Sequence, residues 1–238
     1  MKTINNLAHK NDSLVVWDLS HAAGATTIKL NETNADMAVG CTYKYLNGGP
    51  GAPAFLYVRK DLQDKLTNPI WSWFAHQKPF DFNPNFIENT GIEKFAISTP
   101  PILSLGAIAP GLDIILEAGM SNIEAKSKKQ SAFLIELIEH YLVPLGFKIA
   151  SPFNESQRGS HISITHNESY RINRAMIAPK NKTTKIIIPD FRPPNLIRIG
   201  ITPLYTSYLD LYEALIRIAE IVTAKEYENF STEKLTVT

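Results

Sequence analysis

The chain has 238 residues, 44% of them apolar, enough to bury a sizeable core in one large or two small domains. Its 24 basic and 23 acidic residues leave a net charge of +1 and are spread along the chain, so there is no polybasic arm for nucleic acid or a membrane surface. A single cysteine, Cys41, excludes an intrachain disulfide framework and a cysteine metal cluster. With no signal peptide and no apolar stretch long enough to span a bilayer, the chain reads as a cytoplasmic protein with a small-molecule ligand.

In chain order, residues 1–11 read as the end of a helix, with Ile4, Leu7 and Ala8 at helical spacing. Strands are predicted over 14–17, 38–42 and 54–58, apolar and β-branched runs bounded by turn residues. Asp18-Leu19-Ser20-His21 follows the first of them. Tyr43-Lys44-Tyr45-Leu46-Asn47-Gly48-Gly49-Pro50-Gly51 follows the second. A carboxylate and an imidazole therefore stand beyond one strand's carboxyl end, and a lysine before a glycine-rich turn stands beyond another's. In a doubly wound parallel sheet such ends border the crevice in which ligands bind. An aspartate and a lysine there suit pyridoxal 5'-phosphate: the aspartate keeps the pyridine nitrogen protonated and the lysine carries the aldehyde as an imine. Taken singly, a lysine after a strand is a solvated charge and an aspartate after a strand is a helix cap. The combination, with Tyr43 before the lysine and glycines after it, is what points to a site. Partial burial and a nearby cation are expected to lower the Lys44 pKa, freeing its amine to attack. Three strands before residue 60 are too few for a free-standing cofactor domain, because a parallel sheet needs several strands and cover on both faces.

Residues 61–89 are aromatic and irregular, with Trp71, Trp73, Phe74, Phe80, Phe82 and Phe86 interrupted by Pro69, Pro79 and Pro84. Such a segment is a satellite core or a surface that docks onto a partner. Ser98-Thr99-Pro100-Pro101 starts a helix, and Pro110 is expected to kink it. Ser121-Asn122-Ile123-Glu124 has the form of a capping box opening a helix to about residue 141. After Pro144, strands are predicted over 147–150, 161–165, 185–188 and 196–199, with a helix over 170–178. A final helix over 208–226 carries an apolar stripe of Leu211, Leu215, Ile218, Ile221 and Val222, and the polar tail after Phe230 reads as frayed. Residues 1–97 thus read as part of a parallel-sheet α/β domain, and 98–238 as a linker helix and a small α+β domain. Within Asn195-Leu196-Ile197-Arg198-Ile199-Gly200, the Arg198 guanidinium has the fork geometry that matches a carboxylate. Arg158 and Arg192 are the alternatives, with a solvated surface role as their other reading. His9, His140, His161 and His166 lack metal-like spacing, so no metal is expected.

Asp18-Leu19-Ser20-His21, Tyr43-Lys44-Tyr45-Leu46-Asn47-Gly48-Gly49, Trp73-Phe74-Ala75-His76 and Ser98-Thr99-Pro100-Pro101 occur in the order and approximate spacing of kynureninase. The chain resembles that family from about Leu7 to its C-terminal helix. The block around Lys44 is the most specific part, since cysteine desulfurases typically have a histidine before the lysine. The resemblance implies the C-terminal portion of a fold type I pyridoxal phosphate enzyme, a partial large parallel-sheet domain plus a small α+β domain. It implies hydrolysis of L-kynurenine or 3-hydroxykynurenine to L-alanine and anthranilate or 3-hydroxyanthranilate, in tryptophan catabolism and NAD biosynthesis, by a cytoplasmic homodimer.

The same resemblance assigns residues. Lys44 is the Schiff-base lysine and Asp18 the partner of the pyridine nitrogen, with His21 in reach of cofactor or substrate. Tyr43 bonds the phosphate and takes part in proton transfer, and Trp73 and Thr99 contact phosphate across a dimer interface. Arg198 binds the substrate α-carboxylate, and His76 stacks on an aromatic substrate. From the residues alone, His21 is equally a turn histidine, Tyr43 a strand aromatic, Trp73 packing and Thr99 a helix N-cap. In the family a long N-terminal part supplies the phosphate-gripping loop, a stacking ring and further strands, and this chain is expected to lack it. A truncated or split, non-catalytic fragment, or one working with a companion N-terminal half, is therefore an alternative. Another fold type I enzyme, a class V aminotransferase or cysteine desulfurase, is the second. The latter needs its cysteine on a mobile loop, whereas Cys41 lies in a predicted strand.

Overall fold

The amino-terminal helix α1 (Lys2–His9) is tied down by polar side chains, in a computed structural model that describes residues 1–179 and 185–233. Asn5, fully buried, accepts the Trp17 indole N–H at 2.9 Å and donates to the Thr33 carbonyl at 2.8 Å. Asp36 is also fully buried. It accepts the Val15 amide at 2.9 Å, lies 2.9 Å from His9 Nε2 and pairs with Arg59 at 2.8 Å. One carboxylate thereby joins the helix, the entry to the first two strands and the exit of the third.

Those strands are β1 (Val16–Asp18), β2 (Met37–Cys41) and β3 (Ala54–Val58), in the order β1-β2-β3. The strand predicted from residue 14 begins only at Val16, because the Val15 amide bonds the Asp36 side chain instead. It runs on to include Asp18. The expected parallel sheet is mixed: β1 and β2 are parallel, but β3 is antiparallel to β2. The chain passes from β2 to β3 through turns alone, and a parallel return needs a crossover, usually a helix. One face of this sheet is covered, with Ala38 fully buried and Gly40 under the Phe55 ring, where a Cβ would lie 2.5 Å from it. By register, the other face carries Val16, Asp18, Val39 and Leu56. On it Val16, Val39 and Leu56 are 57%, 37% and 42% exposed, while Met37 is partly covered and Val58 is buried.

After α2 (Lys60–Gln63) the aromatic segment forms single 3-10 turns at Trp73–Ala75, Pro79–Asp81 and Gly91–Phe95. Lys94, almost fully buried, braces it: its Nζ donates to the Leu66 carbonyl at 3.1 Å and pairs with Glu88 at 3.3 Å. Next come α3 (Ile102–Gly106) and α4 (Ile108–Ala118). The break at Ala107 follows from Pro110, which has no N–H for the Gly106 carbonyl. Thr99 is not the N-cap expected of it. Pro101 takes that position, and no side chain caps α3.

The chain divides into two units, Met1–Glu117 and Ala118–Thr238. In the second, α5 (Met120–Leu137) opens at Gly119, whose φ of 76° turns the chain, and not at Ser121. The anticipated capping box does not form, because Asn122 and Ile123 already donate to the Gly119 carbonyl at 3.1 Å. A π turn at Ile138–Leu142 extends the helix. Then follow β4 (Lys148–Ile149), β5 (His161–Thr165), α6 (Ser169–Ile177), β6 (Asp190–Arg192), β7 (Leu196–Gly200) and α7 (Tyr208–Thr223). The sheet is antiparallel throughout, in the order β4-β5-β7-β6. The strand predicted over 185–188 is absent and β6 lies just beyond it, since Ile187 donates to the Met176 carbonyl of α6 at 3.1 Å. A capping box does occur at α7, where Ser207 and Asp210 bond each other's amides. The α7 stripe closes a core with Leu134 of α5, Ile138 of the π turn and Ile162, Ile164 and Ile197 of the sheet. Of the tail predicted to fray, residues 234–238 lie outside the described residues. Among the described residues no single helix is long and apolar enough to cross a membrane.

Candidate functional site

Because β1 and β2 run parallel, their carboxyl ends coincide, and the turns that follow them lie side by side. Leu19 donates to the Val39 carbonyl at 2.8 Å, and the Cys41 thiol lies 3.6 Å from the Ser20 carbonyl. Gly24, with φ 84°, passes so close to the lysine turn that a Cβ there would stand 2.6 Å from the Tyr45 carbonyl. Asp18 ends β1, exposed, and accepts the Ser20 amide at 2.8 Å. Bonds from the Ser20 side chain and amide hold its carboxyl below the usual carboxylate range, outweighing a small loss of hydration. The nearby charges of His21 and Lys44 act in the same direction. Asp18 is therefore ionised throughout the neutral range and within electrostatic reach of Lys44.

Lys44 sits half-buried in a turn closed by Asn47 donating to the Lys44 carbonyl at 3.0 Å and Gly48 donating to the Thr42 carbonyl at 2.8 Å. Helix α4 clamps that turn. At Gly111 a Cβ would meet the Asn47 carbonyl oxygen at 2.6 Å and that of Leu46 at 2.8 Å. The lysine turn is thus pinned by a close backbone approach at Gly24 and another at Gly111, two positions that sequence reasoning missed. The legible signal was a lone glycine in the apolar helix after Pro110. The Lys44 Nζ stands 5.1 Å from the centroid of the Tyr43 ring, and that ring is half exposed. Its pKa departs from expectation. Burial pulls it down, but the hydrogen bond with Tyr43 and the interactions with Cys41 and Tyr43 outweigh burial, leaving it above the usual lysine value.

The aromatic segment forms an open cavity of about 540 Å³ lined by Trp71, Trp73, His76, Phe82 and Phe86, among others. Trp73 is half exposed and its indole N–H donates to the Pro79 carbonyl at 2.6 Å. His76 is almost buried. Its Nδ1 accepts the Lys78 amide at 2.8 Å, its Nε2 faces the Asn85 carbonyl at 3.3 Å, and its ring meets Phe86 edge-on. Thr99 is exposed on the linker, next to Ser98 with φ 64°.

In the second unit, Arg198 of β7 bonds Asp190 across the ladder, and Arg192 donates to the same carboxylate at 2.9 Å. Arg158 serves as a brace, donating to the Pro152 carbonyl at 3.1 Å and the Ser131 hydroxyl at 3.2 Å. Among the described residues no group of three or more His, Cys, Asp or Glu side chains is placed to hold a metal ion. Asp18, His21, Tyr43 and Lys44 are thus brought to one strand-end cluster, and Trp73 and His76 to one cavity. An ionised carboxylate, a primary amine and closely approached backbone form a donor set that fits the ring nitrogen and aldehyde of pyridoxal phosphate.

Comparison with known proteins identifies the fold. The chain superposes on an apo cysteine desulfurase from Thermococcus onnurineus NA1 with a TM-score of 0.76 at 17% identity, covering 94% of this chain and 56% of that one. An alanine–glyoxylate aminotransferase from Nostoc sp. matches with a TM-score of 0.68 at 17% identity, over 92% and 56% of the two chains. The fold is accordingly that of about half of a fold type I pyridoxal phosphate enzyme. Residues 123–218 match the family model of the kynureninase C-terminal domain. Kynureninases of Pseudomonas fluorescens and Burkholderia mallei are each 36% identical over 227 residues, 95% of this chain and 53% of theirs. The chain is thus similar to kynureninases, a likeness that supports pyridoxal 5'-phosphate as the cofactor, and it spans about half the length of the curated relatives it matches.

Proposed function

We propose that this chain carries cofactor-holding and substrate-holding residues for a kynureninase-like reaction. That reaction is hydrolysis of the β,γ carbon–carbon bond of L-kynurenine or 3-hydroxykynurenine, giving L-alanine and anthranilate or 3-hydroxyanthranilate. The observation that carries the proposal is that the parallel pair of β1 and β2 brings the turns after them, one following Asp18 and the other bearing Lys44, side by side at their shared carboxyl end. Pyridoxal phosphate, when bound, supplies an electron sink for the carbanion character of bond cleavage. Asp18 holds a proton on the ring nitrogen. Lys44 attaches the cofactor and moves the proton of the substrate α-carbon, and its raised pKa makes attachment faster as pH rises. Tyr43, Trp73 and Thr99 are assigned to the phosphate and His21 to the ring's surroundings. His76 is assigned to the aromatic part of the substrate and Arg198 to its α-carboxylate. The division into a cofactor portion over 1–97 and a linker helix with a small domain over 98–238, and a cytoplasmic location, belong to the same proposal.

A second reading is that the chain acts only with a partner polypeptide, either a companion segment or a second copy. The exposed apolar patch of Val16, Val39 and Leu56 on one face of the sheet favours it. A desulfurase reading is disfavoured by Cys41, which is fixed in β2 against Ser20.

The test is borohydride trapping of pyridoxal phosphate on the purified chain, with the labelled residue identified by mass spectrometry. Label on Lys44, lost in Lys44→Ala, is expected; label elsewhere or none overturns the assignment. Labelled chain that releases no fluorescent anthranilate from L-kynurenine establishes the second reading.

A further inference from the structure

The antiparallel register of β6 with β7 sets Asp190 directly opposite Arg198 and Arg192 opposite Leu196. Alternation along the strands sends these side chains to one face of the sheet, while Phe191, Ile197 and Ile199 pack with the core. On the polar face a single carboxylate oxygen, Oδ2 of Asp190, accepts from Arg198 Nη2 and from Arg192 Nε. Two guanidiniums around one carboxylate leave one positive charge in surplus. Among the described residues Nη2 is the only guanidinium nitrogen of Arg198 with a hydrogen bond, so the rest of its fork is available. Arg198 is 22% exposed, against 41% for Asp190 and 59% for Arg192.

We propose that Asp190 is a positioning residue that pre-orients Arg198 for the substrate α-carboxylate, with Arg192 cancelling the charge by which Asp190 would repel that carboxylate. The inference rests on the assignment of Arg198 made above. A free arginine side chain has many rotamers, and a ligand that must immobilise it binds more weakly. Asp190 removes that freedom before the ligand arrives. Arg192 keeps the site net positive; without it Arg198 and Asp190 would form a neutral pair with a carboxylate facing the incoming one.

The effect expected of Asp190→Asn is a roughly three- to tenfold weaker affinity for L-kynurenine, the ordering cost of one long side chain. Asp190→Glu, which keeps the charge, restores part of it, and Arg192→Gln weakens binding and flattens its salt dependence. The experiment is side-chain nitrogen NMR of the full chain, following the Arg198 Nε–Hε group by relaxation and by titration with L-kynurenine. Arg198 is expected to be rigid in the wild type, mobile in Asp190→Asn and rigid again in Asp190→Glu. Equal mobility in wild type and Asp190→Asn overturns the positioning role. A rigid wild-type Arg198 with L-kynurenine affinity unchanged in Arg198→Gln overturns the Arg198 assignment instead, and the inference falls with it.

Discussion

The two units of this chain are held together by different physics. Ala118–Thr238 has a closed apolar core in which Phe147, Ile162, Ile197, Leu215 and Ile218 are at most 2% exposed. Met1–Glu117 buries fewer large side chains, Leu19, Val58, Leu62, Ile108 and Ile115, beside as many alanines, among them Ala25, Ala35, Ala38 and Ala75, and leaves Val16, Leu56, Trp71, Phe82 and Leu103 open. Its order comes from buried polar nodes at Asn5, Asp36 and Lys94, each tying together segments distant in sequence. The contrast has a functional side. Small residues and glycines let backbones approach at Gly24 and Gly111, and this is what fixes the lysine turn. A core of large side chains could not bring those turns so close.

Replacing Asp36 with alanine is the most direct way to break the first unit alone. It takes one of two carboxylate partners from Arg59 and the acceptor from Val15 and His9, and losing these bonds to a carboxylate, worth about 1.5–3 kcal/mol each, should total about 3–5 kcal/mol. Hydrogen exchange should show amides of β1 to β3 losing protection while β5 and β7 keep theirs. Leu215→Ala is the reciprocal change. Its cavity should cost about 2–5 kcal/mol, measured as a lowered denaturant midpoint, with the exchange pattern reversed. Gly111→Ala drives a methyl against the Asn47 carbonyl and should cost about 1–3 kcal/mol and slow borohydride-trapped labelling of Lys44.

A smaller effect is expected from acid. The bidentate bond from Arg217 holds the Glu226 carboxyl below its usual value of 4.5. A depressed folded pKa contributes stability that is complete above the unfolded value and lost as pH falls through the folded one. Stability of the second unit should therefore decline below about pH 4.5, and Glu226→Gln should flatten that decline, read from unfolding midpoints against pH. Smallest of all is Val39→Ser on the open face. It should change the stability of the chain alone by less than about 0.5 kcal/mol. The same change should weaken association with a partner polypeptide, if one covers that face, in a sedimentation measurement.

Local signals and long-range contacts divided what could be read in the sequence. The strands at 54–58 and 161–165 match the structure because each is an apolar run with turn residues at its ends. Asp18 and Lys44 were legible because both stand where predicted strands stop. The start of β1 was not, since it depends on the Val15 amide bonding a side chain 21 residues away. Ile186-Ile187-Ile188 has strand composition but no strand partner. Ile187 docks on α6 while Ile186 and Ile188 stay 60% and 80% exposed. The raised pKa of Lys44 arises from contacts with Tyr43 and Cys41 that spacing does not reveal. The Asp190–Arg198 pair likewise depends on the register of β6 against β7.

In the proposed function Asp18 and Lys44 address opposite ends of one pyridine ring. Its most direct test is the nitrogen-15 chemical shift of the ring nitrogen in labelled pyridoxal phosphate bound to the chain. A protonated pyridinium shift in the wild type that moves to the neutral pyridine value in Asp18→Asn is the expected result. A neutral ring nitrogen in the wild type, or a shift unmoved by Asp18→Asn, would contradict it.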